Sequence, residues 1–463
     1  MPGSTVVILA AGRGTRMRSA TPKLRHDLCG RPLLAWPIAA ALDAGADHVV
    51  VVVGAEGPPL DELGEGVALA VQTQPLGTAD AVAAAAAHID RDAVVIVLAG
   101  DVPLIEPGLL RELAGAHTSG GAVATMVTAV LDDPRGYGRV VRGADGAVER
   151  VVETKVKGDA TEAELAITEV NTGIYAFHGG ALLDALAQVG TDNAQGERYL
   201  PDVVAIMRAG GGTVAAFAAG DPAVVMGVND RAGLAVVREE AERRIQERHM
   251  LAGVTIVQPG STSIDVDVEI GEDTVIEPCT QLRGATSIGA RAVVGPHTTL
   301  VDARVGDGVT IVHSHLVSCE VRDRATIGPF AYLRPGALLR ERSKAGTFVE
   351  IKNSDIGPGA KVPHLSYVGD ADVGADTNLG AGTITANYDG FAKHRTTIGA
   401  RVHGGVDTAF VAPVTVGDDA WTAAGSVVTG DVPDGALAVA RARQRNVPRY
   451  AERRRGEPPA PDQ

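Results

Sequence analysis

A six-residue aliphatic period constrains the fold of this 463-residue chain more than any other feature. Isoleucine, leucine or valine recurs at every sixth position from Ile270 to Leu300, and a glycine directly follows many members of the longer series. One aliphatic side chain per short strand can fill a narrow triangular interior, and a small neighbour permits a sharp corner. The pattern therefore predicts a parallel β-helix of about ten coils, up to Val439, and it does not fix the handedness of the coil.

Residues 1–229 show a different pattern, in which strand-like apolar runs alternate with helical stretches. This alternation is typical of a doubly wound α/β domain. A connecting helix is predicted next, because apolar residues recur at helical spacing among charges. The predicted domains are the α/β domain at 1–229, the linker helix at 230–251, the β-helix at 252–450 and a disordered tail at 451–463.

The charge balance disfavours general binding to nucleic acid or to acidic membranes, since 57 acidic residues outnumber 42 lysines and arginines. The longest apolar runs have the length of strands, and no signal-peptide layout is expected at the N-terminus. Cys29, Cys279 and Cys319 are scattered without metal-ligand spacing, and we expect three buried thiols. The sequence thus predicts a soluble, cytoplasmic protein with no nucleic-acid partner and no membrane insertion.

A glycine-broken basic loop directly follows the first apolar run and contains Gly12, Arg13, Gly14, Arg16 and Lys23. A strand, a tight turn and a helix start can present free N–H groups to phosphate oxygens, and the cations add charge there. No Gly-Lys-Ser/Thr follows, so the loop is not a P-loop, and the acidic residue typical of nicotinamide-binding folds is missing. The loop predicts a nucleoside triphosphate site.

Asp101 stands at the carboxyl end of a predicted buried strand, where open α/β sheets bind ligands. Its carboxylate oxygen suits Mg²⁺, although a loop-capping role explains it as well. The segment from Gln72 to Thr78 precedes an alanine-rich helix, and Gly77 could let the backbone approach a planar base or could simply belong to a helix cap.

Polar groups in three later stretches of the first half could hydrogen-bond sugar hydroxyls. They are centred on Gly138, Glu153 and Asn171, and each taken alone is equally a turn or a structural polar residue. In the second half we expect the six-residue rhythm to break at 334–353, 364–367 and 387–393, where cations suit a sugar phosphate. The His364 imidazole could accept a proton from an attacking amine.

Sequence blocks from both halves together resemble one bacterial enzyme family. The blocks are LAAGRGTRM with PK, GDVPL, GYGR, EVNTGIY, NAQGERYL and GVNDR, then FAYLRPG, FVEIK, HLSYVGD, NLGAGTITANYDG and VAPVTVG. They resemble the bifunctional N-acetylglucosamine-1-phosphate uridylyltransferase/glucosamine-1-phosphate N-acetyltransferase family. The resemblance implies a Rossmann-like nucleotidylyltransferase domain, a left-handed parallel β-helix of hexapeptide repeats, and a homotrimer.

The resemblance also implies two reactions that supply a cell-wall precursor for peptidoglycan synthesis. Acetyl-CoA would acetylate glucosamine 1-phosphate, and UTP with Mg²⁺ would then convert N-acetylglucosamine 1-phosphate to UDP-N-acetylglucosamine and pyrophosphate. Two alternatives remain open. One is another sugar-1-phosphate nucleotidylyltransferase with a non-catalytic or regulatory β-helix, and the other is a trimeric scaffold with degenerate sites.

The family's functional residues map onto this sequence motif by motif. In the first half the metal ligands are Asp101 and Asn229, and the catalytic cations are Arg16 and Lys23. The nucleotide and sugar contacts there are Leu9, Ala10, Ala11, Gly12, Lys23, Gln72, Gly77, Thr78, Gly100, Gly138, Glu153 and Asn171. In the second half the sugar phosphate contacts are Arg334, Lys352, Tyr367 and Asn378, and the base is His364. The acetyl-CoA contacts are Ala381, whose N–H region faces the oxyanion, with Asn387, Tyr388, Lys393, Val406, Ala424 and Arg441.

This chain departs from the family's blocks at several positions. The departures are Ala99 for tyrosine, Asp80 for histidine, Arg25 for an aliphatic residue, Val156 for an acidic residue, Tyr332 for arginine and Val406 for serine. Loss of the serine hydroxyl removes one neutral hydrogen bond, worth about 1 kcal/mol. We therefore expect weaker acetyl-CoA binding with acetyl transfer retained, since His364 is unchanged.

Overall fold

The computed structural model describes residues 1, 3–12, 14–55, 63–154, 160–192 and 196–456. The predicted contributions of Arg13 and Val156 lie outside the described residues, as does the end of the predicted tail at 457–463. The chain divides into two units, Met1–Arg244 and Ile245–Gln463. No helix of the described residues has the length and apolar content needed to cross a membrane.

The first unit is built on a mixed β-sheet flanked by helices. Its strands are β1 (Ser4–Ala10), β2 (Asp27–Leu28), β3 (Arg31–Pro32), β4 (His48–Gly54), β5 (Val67–Gln72), β6 (Val94–Ala99), β7 (Ala124–Val130), β8 (Arg139–Arg142), β9 (Val148–Val152), β10 (Glu169–His178) and β11 (Val214–Ala218). Its helices are α1 (Ala35–Asp43), α2 (Thr78–Ala84), α3 (Pro107–Gly120), α4 (Glu162–Leu165), α5 (Gly179–Leu186) and α6 (Asp202–Ala209).

The main sheet has the strand order β11-β7-β10-β6-β1-β4-β5. Strand β1 lies parallel to β4 and β6, whereas β10 runs antiparallel to β6 and β7. The central strands are continuous apolar runs because both faces are covered: Val7 packs in one buried cluster, and Val6 and Ile8 pack in another. The α/β class is confirmed, and the antiparallel β10 makes the sheet mixed.

Helix α7 (Arg231–Leu251) occupies the segment predicted as a connecting helix. Val237, Ala241 and Ile245 are buried along one side of it, at the predicted helical spacing.

The second unit is a parallel β-helix whose short strands stack in three sheets. The first face contains Thr255–Ile256, Val275–Ile276, Val293–Val294, Thr310–Ile311, Thr326–Ile327, Lys344–Thr347 and Lys361–His364. The second contains Ser263–Ile264, Gln281–Arg283, Thr299–Val301, His315–Val317, Tyr332–Leu333, Glu350–Lys352, Tyr367–Gly369, Ile384–Ala386, Ala409–Val411 and Val427–Val428. The third contains Glu269–Ile270, Ser287–Ile288, Arg304–Val305, Glu320–Val321, Leu338–Leu339, Asp355–Ile356, Ala371–Val373, Thr396–Ile398 and Val414–Val416. A separate two-stranded sheet pairs Trp421–Thr422 with Leu437–Ala438.

The repeating aliphatic residues form the interior of this unit. Ile276, Leu282 and Leu300 are fully buried, whereas Ile270, in an early coil, is only partly covered. The ten strands of the second face confirm the predicted number of coils.

Two of the three predicted breaks in the rhythm are wrong. The ladder passes from Tyr332 to Glu350 and on to Tyr367 without an inserted loop. Coils elsewhere differ in length by one or two residues, which shifts the six-residue phase without adding a loop. The third break is real: one coil advances from Asp355 to Asp372 and the next from Asp372 to Thr397, and residues 387–395 supply the extra length.

Two further predictions from the sequence need correction. Cys29 and Cys319 are buried, and burial raises the pKa of the Cys319 thiol to about 12, but Cys279 is exposed. Cys279 occupies a position between two strands of the β-helix, with φ of 59°. In the tail, Tyr450–Arg455 forms a short helix, and Arg449, its N-cap residue, pairs with Glu452 at 2.5 Å.

We expect Ile351→Ala to destabilise the β-helix by about 2–5 kcal/mol, because this fully buried side chain leaves a cavity in the narrow interior. The control is Ile384→Ala on the same face, where the side chain is 47% exposed and the change should stay within about 0.5 kcal/mol. Urea unfolding measures both. Equal losses from the two variants would contradict the assignment of these aliphatic residues to the interior.

Candidate active sites

The basic loop of the first unit follows β1 as two 3₁₀ turns, Thr15–Met17 and Lys23–Arg25. The predicted start of a regular helix is therefore wrong. Gly14 has φ of 59°, and a Cβ atom at this position would lie 2.4 Å from the Cβ of Lys23. The glycine thus lets the Lys23 segment fold back against the loop, which places a cation beside the end of β1.

The predicted metal and phosphate residues of the first unit lie in paired contacts. Lys23 Nζ donates to Asp101 Oδ2, and both side chains are largely buried. Arg16 Nη2 donates to Asn229 Oδ1 at 2.8 Å. Val228 N donates to the backbone oxygen of Asp101 at 2.9 Å, which places Asn229 next to Asp101.

The donor atoms of Asp101 and Asn229 are compatible with a divalent cation. Asp101 and Asn229 offer a carboxylate and an amide oxygen, the hard donors that Mg²⁺ prefers. The parts of the chain that the structure describes contain no cluster of three or more His, Cys, Asp or Glu side chains that could hold a metal by themselves. A two-residue set fits Mg²⁺ because this ion takes most of its ligands from water and phosphate.

A cleft of about 1130 Å³ opens beside the loop. Ala10, Ala11, Gly12, Lys23 and Gln72 line it, together with residues of α1. Backbone of the loop and the Gln72 amide therefore face one space, which is large enough for a nucleotide.

Gly77 and Thr78 dock against a distant segment. A Cβ atom on Gly77, whose φ is 116°, would lie 2.4 Å from the backbone oxygen of Arg198. Thr78 Oγ1 accepts a hydrogen bond from Leu200 N at 2.9 Å. Gly77 is itself the N-cap of α2, and its absent side chain permits this close packing against residue 198.

The three predicted sugar residues converge at the junction of β8, β9 and β10. Arg139 pairs with Val152 and with Val170 in antiparallel register, which sets Gly138 opposite both Glu153 and Asn171. Asn171 N donates to Gly138 O at 2.9 Å.

In the second unit, Asp370 gathers several of the predicted polar residues. Its oxygens accept from Lys352 Nζ at 3.3 Å, from Asn353 Nδ2 at 2.6 Å and from Asn387 Nδ2. Burial opposes ionisation of Asp370, but these hydrogen bonds outweigh it and lower its pKa. Asp370 was missed at the sequence level, although it ends the block HLSYVGD.

Basic side chains crowd around this carboxylate. Lys352 lowers the pKa of the neighbouring Lys393 ammonium, which lies at the end of the inserted loop. Arg334 pairs with Glu350 at 2.8 Å, and Tyr367 is the residue one coil beyond Glu350. The result is a cationic patch suited to a phosphate dianion.

Four predicted residues form a single axial row, which we call the His364 row: His364, Ala381, Val406 and Ala424. One backbone hydrogen bond per step fixes the register, from Gly382 N to His364 O at 3.2 Å, from Asp407 N to Ala381 O at 2.7 Å and from Gly425 N to Val406 O at 2.8 Å. His364 is exposed, and the Ala381 N–H donates to no acceptor within the described chain.

The remaining predicted residues lie around this row and the patch. Asn378 stands three positions before Ala381, bridged to Lys361 and His403, and no hydrogen bond joins it to Asp370 among the described residues. Tyr388 is 61% exposed, and its hydroxyl donates to Gly390 O at 2.7 Å. The Cδ atom of Arg441 lies 3.7 Å from where a Cβ of Gly425 would stand, near the far end of the row.

A glycine-broken basic loop on an α/β sheet, followed by a hexapeptide-repeat β-helix, is typical of a nucleotidyltransferase domain joined to an acyltransferase domain. A family model described as a MobA-like NTP transferase domain matches residues 6–205. Curated relatives cover both units. Bifunctional protein GlmU of Mycolicibacterium gilvum is 50% identical to this chain, and the match covers 98% of this chain and 93% of the relative. For the protein of the same name from Mycolicibacterium vanbaalenii the identity is 51%, over 98% of this chain and 94% of the relative. For that from Mycobacterium tuberculosis the identity is 49%, over 99% of this chain and 94% of the relative.

This chain belongs to the family of the bifunctional protein GlmU. Its fold is an α/β nucleotidyltransferase domain followed by a left-handed parallel β-helix of hexapeptide repeats, as the resemblance implied.

Proposed function

We propose that the chain catalyses two successive steps towards UDP-N-acetylglucosamine. The β-helix acetylates glucosamine 1-phosphate with acetyl-CoA, and the first unit transfers UMP from UTP to N-acetylglucosamine 1-phosphate with release of pyrophosphate. The observation that carries this proposal is that one chain contains both groups of residues: Lys23 paired with Asp101 in the first unit, and the Lys352–Asp370 pair and the His364 row in the second.

In the uridylyl step, the phosphate oxygen of the sugar attacks the α-phosphorus of UTP in line, and pyrophosphate leaves. Lys23 and Arg16 exchange their protein partners for the charge of the triphosphate. Asp101 and Asn229 would hold Mg²⁺, which supplies charge neutralisation on the phosphates. Gly138, Glu153 and Asn171 orient the sugar through hydrogen bonds to its hydroxyl and amide groups.

In the acetyl step, the amine of the sugar attacks the thioester carbon and the coenzyme A thiolate leaves. His364 takes the amine proton during the attack, and the Ala381 N–H stabilises the developing oxyanion. Arg334 and Lys352 bind the sugar phosphate, and Tyr367 and Asn378 position its ring.

The acetyl-CoA chain would extend along the His364 row. Its contacts would be Asn387, Tyr388, Lys393, Val406, Ala424 and Arg441. Asn378 makes no hydrogen bond to Asp370 among the described residues, and we propose a homotrimer in which a second subunit completes the site. We further propose a cytoplasmic location, where UTP, amino-sugar phosphates and acetyl-CoA are available as the small-molecule partners.

A two-channel assay tests the proposal. We expect the purified chain to release pyrophosphate from UTP with N-acetylglucosamine 1-phosphate, and free thiol from acetyl-CoA with glucosamine 1-phosphate. Pyrophosphate without thiol would instead support a nucleotidylyltransferase with a regulatory β-helix. Silence in both channels would support a scaffold and overturn the proposal.

A further inference from the structure

The Gln72 carboxamide, at the wall of the nucleotide cleft, is held by two contacts. The side chain is 6% exposed. Its Nε2 atom donates to Gly77 O at 3.0 Å and to Asp80 Oδ2 at 2.9 Å. Both hydrogens of the amide nitrogen are therefore engaged by protein oxygens.

The chemistry of these two partners fixes the orientation of the amide. A backbone carbonyl and a carboxylate can only accept hydrogen bonds, so the group that faces them both must be the NH₂ and not the oxygen. A flipped amide would set its oxygen against two acceptors. The Gln72 Oε1 atom accepts from no donor in the described chain, so it is the polar atom left to meet a ligand in the cleft.

Asp80 is itself braced from a remote part of the chain. Arg198 Nη1 lies 3.5 Å from Asp80 Oδ1. The same guanidinium donates to Leu186 O and to Val189 O, and the backbone of Arg198 packs against Gly77. Asp80 thus occupies a defined position, and it stands where the family's blocks have a histidine.

We propose that Asp80 is a positioning residue that sets the nucleobase specificity of the first site through Gln72. This inference rests on the proposed function, in which UTP is the donor. On its base-pairing edge uracil carries a single N–H donor, at N3, so a fixed acceptor at Gln72 Oε1 matches it. In the same pose cytosine presents the lone pair of N3 to that oxygen, and two acceptors then face each other. Asp80 therefore selects pyrimidines that carry an N3–H.

The test is the ratio of kcat/KM for UTP to kcat/KM for CTP. Without Asp80 only the Gly77 O still opposes the flipped amide, which would present NH₂ to cytosine N3. Asp80→Ala should therefore lower this ratio by up to about tenfold. The exposed Asp184, which pairs with Arg91, provides the control, and Asp184→Ala should leave the ratio unchanged. A merely structural role for Asp80 would lower both efficiencies by one factor and leave the ratio intact, and that result would overturn the proposal.

A double-mutant comparison tests whether Asp80 acts through Gln72. In a Gln72→Ala background, Asp80→Ala should change the UTP to CTP ratio no further. An additional fall of the same size as in the parent would overturn the proposed route. If Asp80→Ala does not fold, Asp80→Leu removes the acceptor while filling a similar volume, and the same expectations apply to it.

Failure of the proposed function is distinguishable from failure of this inference. A parent enzyme that releases no pyrophosphate would refute the function alone. Calorimetric titration of UTP and CTP into the parent and Asp80→Ala proteins then gives a ratio of Kd values, which should shift towards CTP in the variant. An unchanged Kd ratio would overturn the inference whatever the activity.

Discussion

Replacement of His364 by alanine should lower acetyl transfer by about 10²–10⁴-fold while pyrophosphate release persists. The imidazole would be the group that takes the amine proton, and the next residue of its row offers the Ala381 N–H for the oxyanion. Thiol release from acetyl-CoA measures the first activity, and pyrophosphate release from UTP measures the second in the same preparation.

The matched control is His297→Ala. His297 is exposed in an earlier coil of the same β-helix, where its ring packs at a tilt against His313 with centroids 4.9 Å apart. Removing this imidazole should leave acetyl transfer intact. If His364→Ala retains the parent rate, the proton acceptor must be another group and the assignment fails.

Replacement of Lys23 by alanine should reduce pyrophosphate release by roughly 10²–10³-fold and leave acetyl transfer unchanged. The ammonium group is held beside Asp101 at the wall of the cleft, so its removal takes away a positive charge at a fixed position. Asp101→Asn should also slow the reaction, but by a different route: the Mg²⁺ concentration for half-maximal rate should rise in Asp101→Asn and not in Lys23→Ala.

Arg91→Ala provides the control for charge loss in the first unit. Arg91 forms an exposed pair with Asp184 at 2.8 Å, and exposed pairs contribute little. Its removal should not alter pyrophosphate release. Identical Mg²⁺ dependence in Lys23→Ala and Asp101→Asn would contradict the separate roles given to the two residues.

Much of the fold could be predicted because its signals are local and repeated. The β-helix follows from a pattern in which each aliphatic residue, such as Leu282 or Leu300, meets the same environment one coil later. The position of Asp101 could be predicted because an apolar strand leads directly into it. In the second site, the expected breaks in the period pointed to His364 and nearby cations, and the family motifs then supplied the separate role of each residue.

What the sequence did not reveal depends on contacts between distant residues or on small phase changes. The brace of Asp80 by Arg198 joins positions far apart in the chain, and no local pattern marks it. Asp370 ends the block HLSYVGD, yet its three donors come from the preceding coil and from the inserted loop. The apparent break at 334–353 reflects only coils of slightly different length.

The residues of the His364 row are spaced at equal intervals along the axis of the β-helix. Adjacent parallel strands are separated by about 4.8 Å, so three steps from His364 to Ala424 span roughly 14 Å. A long, flexible acyl donor laid along this edge meets side chains at fixed intervals, whatever the sequence of the loops between them. The length of the row is therefore set by the number of coils. Insertion or deletion of one whole coil would lengthen or shorten the row by about 4.8 Å.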